Sequence, residues 1–178
     1  MREVEIKAWV DDFDSIKQFF DSVAGPGQSV DKEDCYYRRP GEMIQAFRIR
    51  KNNGVLEFTT KKNSKNEKGE ENNCEYEFES SLDQMDKAKL FFENLGYEFF
   101  FEKIKRGFDW KYRGVHVELL CVEHVGTLLE MEALIPFDAT DSDVSEAAAL
   151  LNSILDEVGI PKSKIEKRSY RSMILNRG

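Results

Sequence analysis

The chain opens on Glu3-Val4-Glu5-Ile6-Lys7, and its alternation of charged and apolar residues returns along the sequence. It recurs at Arg48 and Arg50, Glu75 and Glu77, Lys103 and Lys105, and Glu130 and Glu132. Side chains alternate faces along a strand, so the two members of each pair share one face. Carboxylates are hard oxygen donors of the kind magnesium and manganese take. Arginine grips phosphate with a planar fork, and lysine acts on it as a point charge. Any single pair could be the solvated face of a half-exposed strand. Recurrence on at least five strands points instead to a lined cavity that holds metal ions and a polyanion.

Phosphoryl transfer depends mostly on positioning and charge neutralisation, so such a site needs no poised nucleophile. The two histidines, His116 and His124, read as structural or solvent-facing groups, and they are too few for an imidazole-rich zinc site. Phe99, Phe100, Phe101, Phe108 and Trp110 could stack on a base, but aromatic runs of this kind favour buried strands or a dimer face.

The 178 residues suit one domain with a substantial core, spanning 1–178. Hydrophobic residues make up 40%, and charged residues a high 34%. A net charge of −8 without a basic stripe argues against a nucleic-acid binder. Cys35, Cys74 and Cys121 lack metal-type spacing; an odd count with no secretory leader predicts free thiols in a reducing cytoplasm. No apolar run approaches the ~20 residues that cross a membrane.

The elements that must position these residues follow from periodicity. Residues 2–10 read as a strand, and 14–23 as a helix on Ile16, Phe19, Phe20 and Val23, with Gly25 as its stop. A short strand at 34–38 precedes a hairpin of 45–51 and 55–62 about Asn53-Gly54. The polar stretch Asn63 to Asn73 reads as a mobile loop, and strand pattern resumes at Glu75. Ser81 to Leu95 reads as a helix with a Ser81/Gln84 capping box and a stripe of Leu82, Met85, Ala88, Phe92 and Leu95. Strands are expected at 98–105, 107–113, 115–123 and 128–135, broken near Gly107, Gly114 and Gly126. A helix at 143–158 and a helical tail from Ser163 complete the chain. About eight strands with helices between and after them predict an α+β domain. Eight antiparallel strands can close a small barrel, here a tunnel with helices packed outside.

Taken in order, these motifs resemble the CYTH superfamily, the triphosphate tunnel metalloenzymes. The markers are Glu3-x-Glu5-x-Lys7, then Glu33-Asp34-Cys35-Tyr36-Tyr37, Arg48-x-Arg50, Lys61 and Glu75-x-Glu77. They continue through Lys103, Lys105 and Arg106, then Gly126 to Glu130 and Glu132, and end at Ser169-Tyr170. The resemblance implies that Glu3, Glu5, Glu75, Glu77, Glu118, Glu130 and Glu132 are candidate ligands for Mg²⁺ or Mn²⁺. It implies that Lys7, Arg48, Arg50, Lys61, Lys103, Lys105 and Arg106 hold substrate, with Glu3, Glu5, Lys7 and Lys61 as the catalytic set. One departure stands out: Leu120 occupies the position where such proteins usually carry an acidic residue, and Glu118 lies two residues earlier on the same face.

The terminal Ser169-Tyr170-Arg171 and Leu95-Gly96-Tyr97 are most similar to class IV adenylyl cyclases, which implies conversion of ATP to cyclic AMP and pyrophosphate. The alternatives are a triphosphatase acting on thiamine triphosphate or inorganic tripolyphosphate, and a non-catalytic triphosphate-binding protein. The implied partner is a nucleoside triphosphate or another triphosphate, with no nucleic acid or membrane, in a cytoplasmic protein that could form a homodimer.

Overall fold

The computed structural model describes the backbone of residues 1–65 and 71–176 and the side chains of 1–60 and 76–176. Four α-helices and eight strands form an α+β fold. The strands are β1 (Arg2–Trp9), β2 (Gln28–Arg38), β3 (Phe47–Asn52), β4 (Val55–Lys65), β5 (Glu71–Ser81), β6 (Glu98–Tyr112), β7 (Val115–Val122) and β8 (Gly126–Ile135). The helices are α1 (Phe13–Ala24), α2 (Met85–Asn94), α3 (Asp141–Glu157) and α4 (Tyr170–Leu175). The strands make one antiparallel sheet in the order β1-β8-β7-β6-β2-β3-β4-β5. Among the described residues no ladder joins its terminal strands β1 and β5, so the expected closed barrel is not closed by hydrogen bonds. No described helix is long and apolar enough to cross a membrane.

The chain divides into two compact units, Met1–Val30 with Lys105–Gly178, and Asp31–Ile104. In the first, Val4, Ile6 and Ala8 of β1 share a core with Val115, Val117 and Leu119 of β7 and with Leu129 and Met131 of β8. Helices α1 and α3 cover this face with Ile16, Phe20, Leu151, Ile154 and Leu155. Asp12 caps α1 by accepting from the Ser15 amide, and Thr140 with Asp143 forms a capping box on α3. On the opposite face a smaller cluster joins Leu120, Val122 and Leu128 to Tyr170 and Met173 of α4. In the second unit, Cys35, Tyr37, Ile49, Leu56 and Phe58 form a core covered by Met85, Ala88 and Phe92 of α2.

Four local expectations change. Strand β2 begins at Gln28, well before residue 34. Strands β4 and β5 stay paired out to Lys65 and Glu71, so residues 63–65 and 71–73 of the expected loop are ladder, while 66–70 lie outside the described residues. Strand β6 continues through Gly107, where a Cβ would meet the Leu119 carbonyl oxygen at 1.9 Å. Glycine in a strand often marks such a close backbone approach. The Ser81 hydroxyl donates to Asp83 and caps no amide; a 3-10 turn at Leu82–Gln84 precedes α2, and Leu95 is exposed rather than buried. The turn at Asn53-Gly54 is as expected. Both residues have positive φ, 45° and 97°, the geometry that a two-residue hairpin of primed type requires.

Candidate functional site

In the first unit, register decides which side chains meet. Glu5 pairs with Glu132, Lys7 with Glu130 and Trp9 with Leu128. Strand β7 extends these rows with His116, Glu118 and Leu120, and β6 adds Lys111, Asp109 and Gly107. Directly opposed residues share a face. The face away from α1 and α3 therefore carries two charged rows and then an apolar row, Trp9-Leu128-Leu120, at the end that α4 covers. Leu120 is fully buried there. At the position expected to be acidic, the chain has built part of a hydrophobic plug.

The charged rows are only partly neutralised. The Lys105 ammonium lies 2.6 Å from Glu130 Oε2, and Lys7 Nζ lies 3.7 Å from Glu5 Oε1. Lys7, Lys105 and Glu118 are each less than a tenth exposed. His116 Nε2 sits 3.1 Å from Asp109 Oδ2. Glu132 has its carboxyl pKa pushed up by burial and then by Glu3, with Glu5 and Glu118 adding and His116 opposing. Among the described residues these carboxylates do not bring three donor atoms within 4.8 Å of one another, so a hard divalent cation would have to draw them together.

In the second unit the equivalent face, opposite α2, carries cations gathered on one acid. The rows run Asp34-Arg50-Glu57-Glu79 and Tyr36-Arg48-Thr59-Glu77. Asp34 is completely buried. Arg50 donates to both of its oxygens, at 2.6 and 3.0 Å, and Lys103 Nζ lies 3.0 Å from Oδ2. Burial alone would raise the Asp34 carboxyl pKa; Lys103 and Arg50 outweigh it and hold it well below the usual carboxylate range. Tyr36 donates its hydroxyl to Asp34, and burial followed by the Asp34 charge pushes the phenol up to about 12. Arg48 Nη2 donates to Thr59 Oγ1 at 2.9 Å, and Thr59 donates to Glu77 at 2.8 Å. Among the described residues, Arg48 Nε is buried with no hydrogen-bond partner.

Among the expected residues, Glu3, Glu5, Lys7, Lys105, Glu118, Glu130 and Glu132 thus share one face of the first unit. Arg48, Arg50, Lys103 and Glu77 share one face of the second. Arg106 is out of phase with Lys105, on the other face of β6, and exposed. The side chains of Lys61 and Glu75 lie outside the described residues. Asp34 was not singled out from sequence, although its two-residue offset from Tyr36 places it on that face. Among the described residues, the group with three donor atoms mutually within 4.8 Å is Glu33, Cys35 and Glu102. Burial raises the Cys35 thiol there to about 11, which disfavours the thiolate that binds metal.

Residues 1–170 match the CYTH domain family. Among solved structures, the chain is similar to the PH1819 protein of Pyrococcus horikoshii, at 25% identity over 99% of this chain and 100% of that one, with a TM-score of 0.72. A candidate adenylate cyclase from Vibrio parahaemolyticus shares the fold at 16% identity over 97% of both chains, with a TM-score of 0.72. A candidate adenylyl cyclase from Hippeastrum, described as having a dominant triphosphatase activity, aligns at 16% identity over 94% of this chain and 91% of that one, with a TM-score of 0.61. No curated protein matches.

Proposed function

This chain belongs to the CYTH domain family, and from that premise we propose that it carries out divalent-metal-dependent chemistry on a triphosphate, in the manner of an adenylyl cyclase. The observation that carries the reading is the Arg48 guanidinium, fixed by Thr59 at Nη2 while its buried Nε has no acceptor among the described residues. A buried donor left unpaired costs about 1–3 kcal/mol, and a phosphate oxygen is the acceptor its charge selects. Asp34 fixes the positions of Arg50 and Lys103, and Glu57 lies 3.9 Å from Arg50 Nη1.

The carboxylates of the first unit, with Glu132 already reluctant to ionise, are the donor set for Mg²⁺ or Mn²⁺. A bound ion would neutralise phosphate charge and polarise the reacting phosphorus. In the second unit Arg48, Arg50 and Lys103 are the groups that would grip phosphate, and in the first Lys7 and Lys105 are those that would supply ammonium charge. These interactions gain strength where water is excluded.

A second reading, hydrolysis of the triphosphate, is supported by the triphosphatase activity described for the Hippeastrum relative. The two reactions differ in which phosphorus faces the attacking oxygen, the ribose 3′-hydroxyl or water. Incubation with Mg²⁺ or Mn²⁺ and ATP, thiamine triphosphate or tripolyphosphate tests both. Cyclic AMP supports the first reading and orthophosphate the second. Binding without turnover would leave a triphosphate-binding protein, and no binding of any of the three would overturn the proposal.

A further inference from the structure

Two ammonium groups of the first unit converge on one aromatic ring. Lys7 Nζ lies 4.7 Å from the Tyr170 ring centroid, and Lys105 Nζ lies 4.4 Å from it. They arrive from strands separated by β8 and β7 in the sheet order, so their common destination comes from the ring and not from neighbouring backbone. The ring itself is fixed. Tyr170 opens α4, whose cap is Ser169 Oγ accepting from the Ser172 amide, and it packs with Leu120, Val122, Leu128 and Met173. Just before α4, the Glu166 amide donates to the Lys7 carbonyl at 2.7 Å, and the Trp9 indole donates to Glu166 at 3.0 Å. These bonds tie the approach to α4 to the strand that carries Lys7.

We propose that Tyr170 is a positioning residue whose ring holds the Lys7 and Lys105 ammonium groups at one point, ready to meet a polyphosphate. The inference rests on the triphosphate reading above. An aromatic face suits the task better than another carboxylate, because it attracts ammonium through its quadrupole without cancelling the charge. Glu5 and Glu130 already lie against the two lysines, and a third acid would tip the cluster to net negative charge, which repels a polyanion. Lys105 stands opposite Val122 in the register, and its ammonium reaches Glu130, which pairs with Lys7. Without the ring, each lysine would regain rotamer freedom that a ligand must remove again on binding.

The test compares the full-length protein with Y170F and Y170L, measuring tripolyphosphate binding by calorimetry and lysine signals by NMR after reductive ¹³C-methylation. Y170L keeps the apolar volume and loses the ring; its affinity should fall about tenfold, the scale of two weakened cation–π contacts. Y170F keeps the ring and should recover most of that loss. The methyl signals of Lys7 and Lys105, assigned with K7R and K105R, should show aromatic ring shifts in wild type and Y170F that vanish in Y170L. A merely structural role would leave those shifts out of step with affinity. Equal affinity of Y170L and wild type, or equal losses in Y170F and Y170L, would overturn the proposal. If Y170L does not fold, lysine signals in wild type and Y170F without ring shifts would overturn it as well. If wild type itself does not bind tripolyphosphate, the triphosphate reading fails, and ring shifts that are present or absent still decide whether Tyr170 holds the two lysines.

Discussion

Asp34 shows how a single residue can organise a face. It has no exposed surface, and Arg50 and Lys103 both reach it. Breaking a buried pair by removing one partner typically costs about 3–5 kcal/mol, because the remaining charge is left uncompensated. Asp34→Ala and Arg50→Ala should each lower unfolding free energy on about that scale in urea titrations, and the double variant should lose much less than their sum. Repulsion among the neighbouring cations alone would suggest that removing Arg50 is harmless or stabilising; the contact with Asp34 reverses that expectation. Leu120 argues the same way. Leu120→Asp would place a carboxylate among Val122, Leu128, Tyr170 and Met173, so it should destabilise more than Leu120→Ala, for which about 2–5 kcal/mol is expected. A gain of metal binding in a stably folded Leu120→Asp protein would refute this account of the plug. Alternation in the sequence placed Arg50 with Arg48 and Leu120 with Glu118, each pair on one face. It could not say which strands lie side by side, and the Asp34-Arg50 register and the α4 contact depend on that.

Elements with one-sided apolar periodicity were legible, and those without it were not. Helix α1 and the Asn53-Gly54 hairpin follow the local pattern closely. The outer parts of β4 and β5 are runs of Lys, Asn, Ser and Glu in the sequence, so neither period appears there although the ladder forms. Gly107 read as a break for the opposite reason. Glycine usually interrupts a strand, yet here it admits the close approach of β7. Gly107→Ala should therefore destabilise by about 1–3 kcal/mol, the scale of overpacking, without changing secondary-structure content by circular dichroism. An alanine variant as stable as wild type would show that the neighbouring strand can yield. On α3, Thr140→Ala removes the acceptor for the Asp143 amide and should cost about 1 kcal/mol, measured by thermal melting.

At the scale of the whole chain, the ordered charged pairs were enough to identify the family and the α+β class, because each motif needs only its own strand. Closure of the sheet was not legible in the same way, since it depends on β1 and β5, which stand at opposite ends of the sequence of pairings. The charge pattern also sets a pH dependence with two opposing parts. Asp34 has a lowered carboxyl pKa, so its contribution is present above the unfolded value and is lost only as pH falls through its depressed folded value. Glu132 has a raised pKa, so its contribution is present below the unfolded value and is lost as pH rises through its folded value. Near neutral pH the protein thus keeps the Asp34 network and carries strain among the carboxylates of the first unit, on a chain of net charge −8. A divalent cation would relieve that strain only where the carboxylates are ionised, because metal and proton compete for the same oxygens. Mn²⁺ or Mg²⁺ should accordingly raise the melting temperature at pH 7–8, with the rise fading toward pH 4–5. Glu132→Gln should do two things at once: raise the metal-free melting temperature at pH 7–8 by removing the repelled charge, and shrink the further rise on adding metal. Thermal melts across this pH range, with chelator as the control, read both effects. A metal-induced rise that is independent of pH, or unchanged in Glu132→Gln, would place the ion away from these carboxylates.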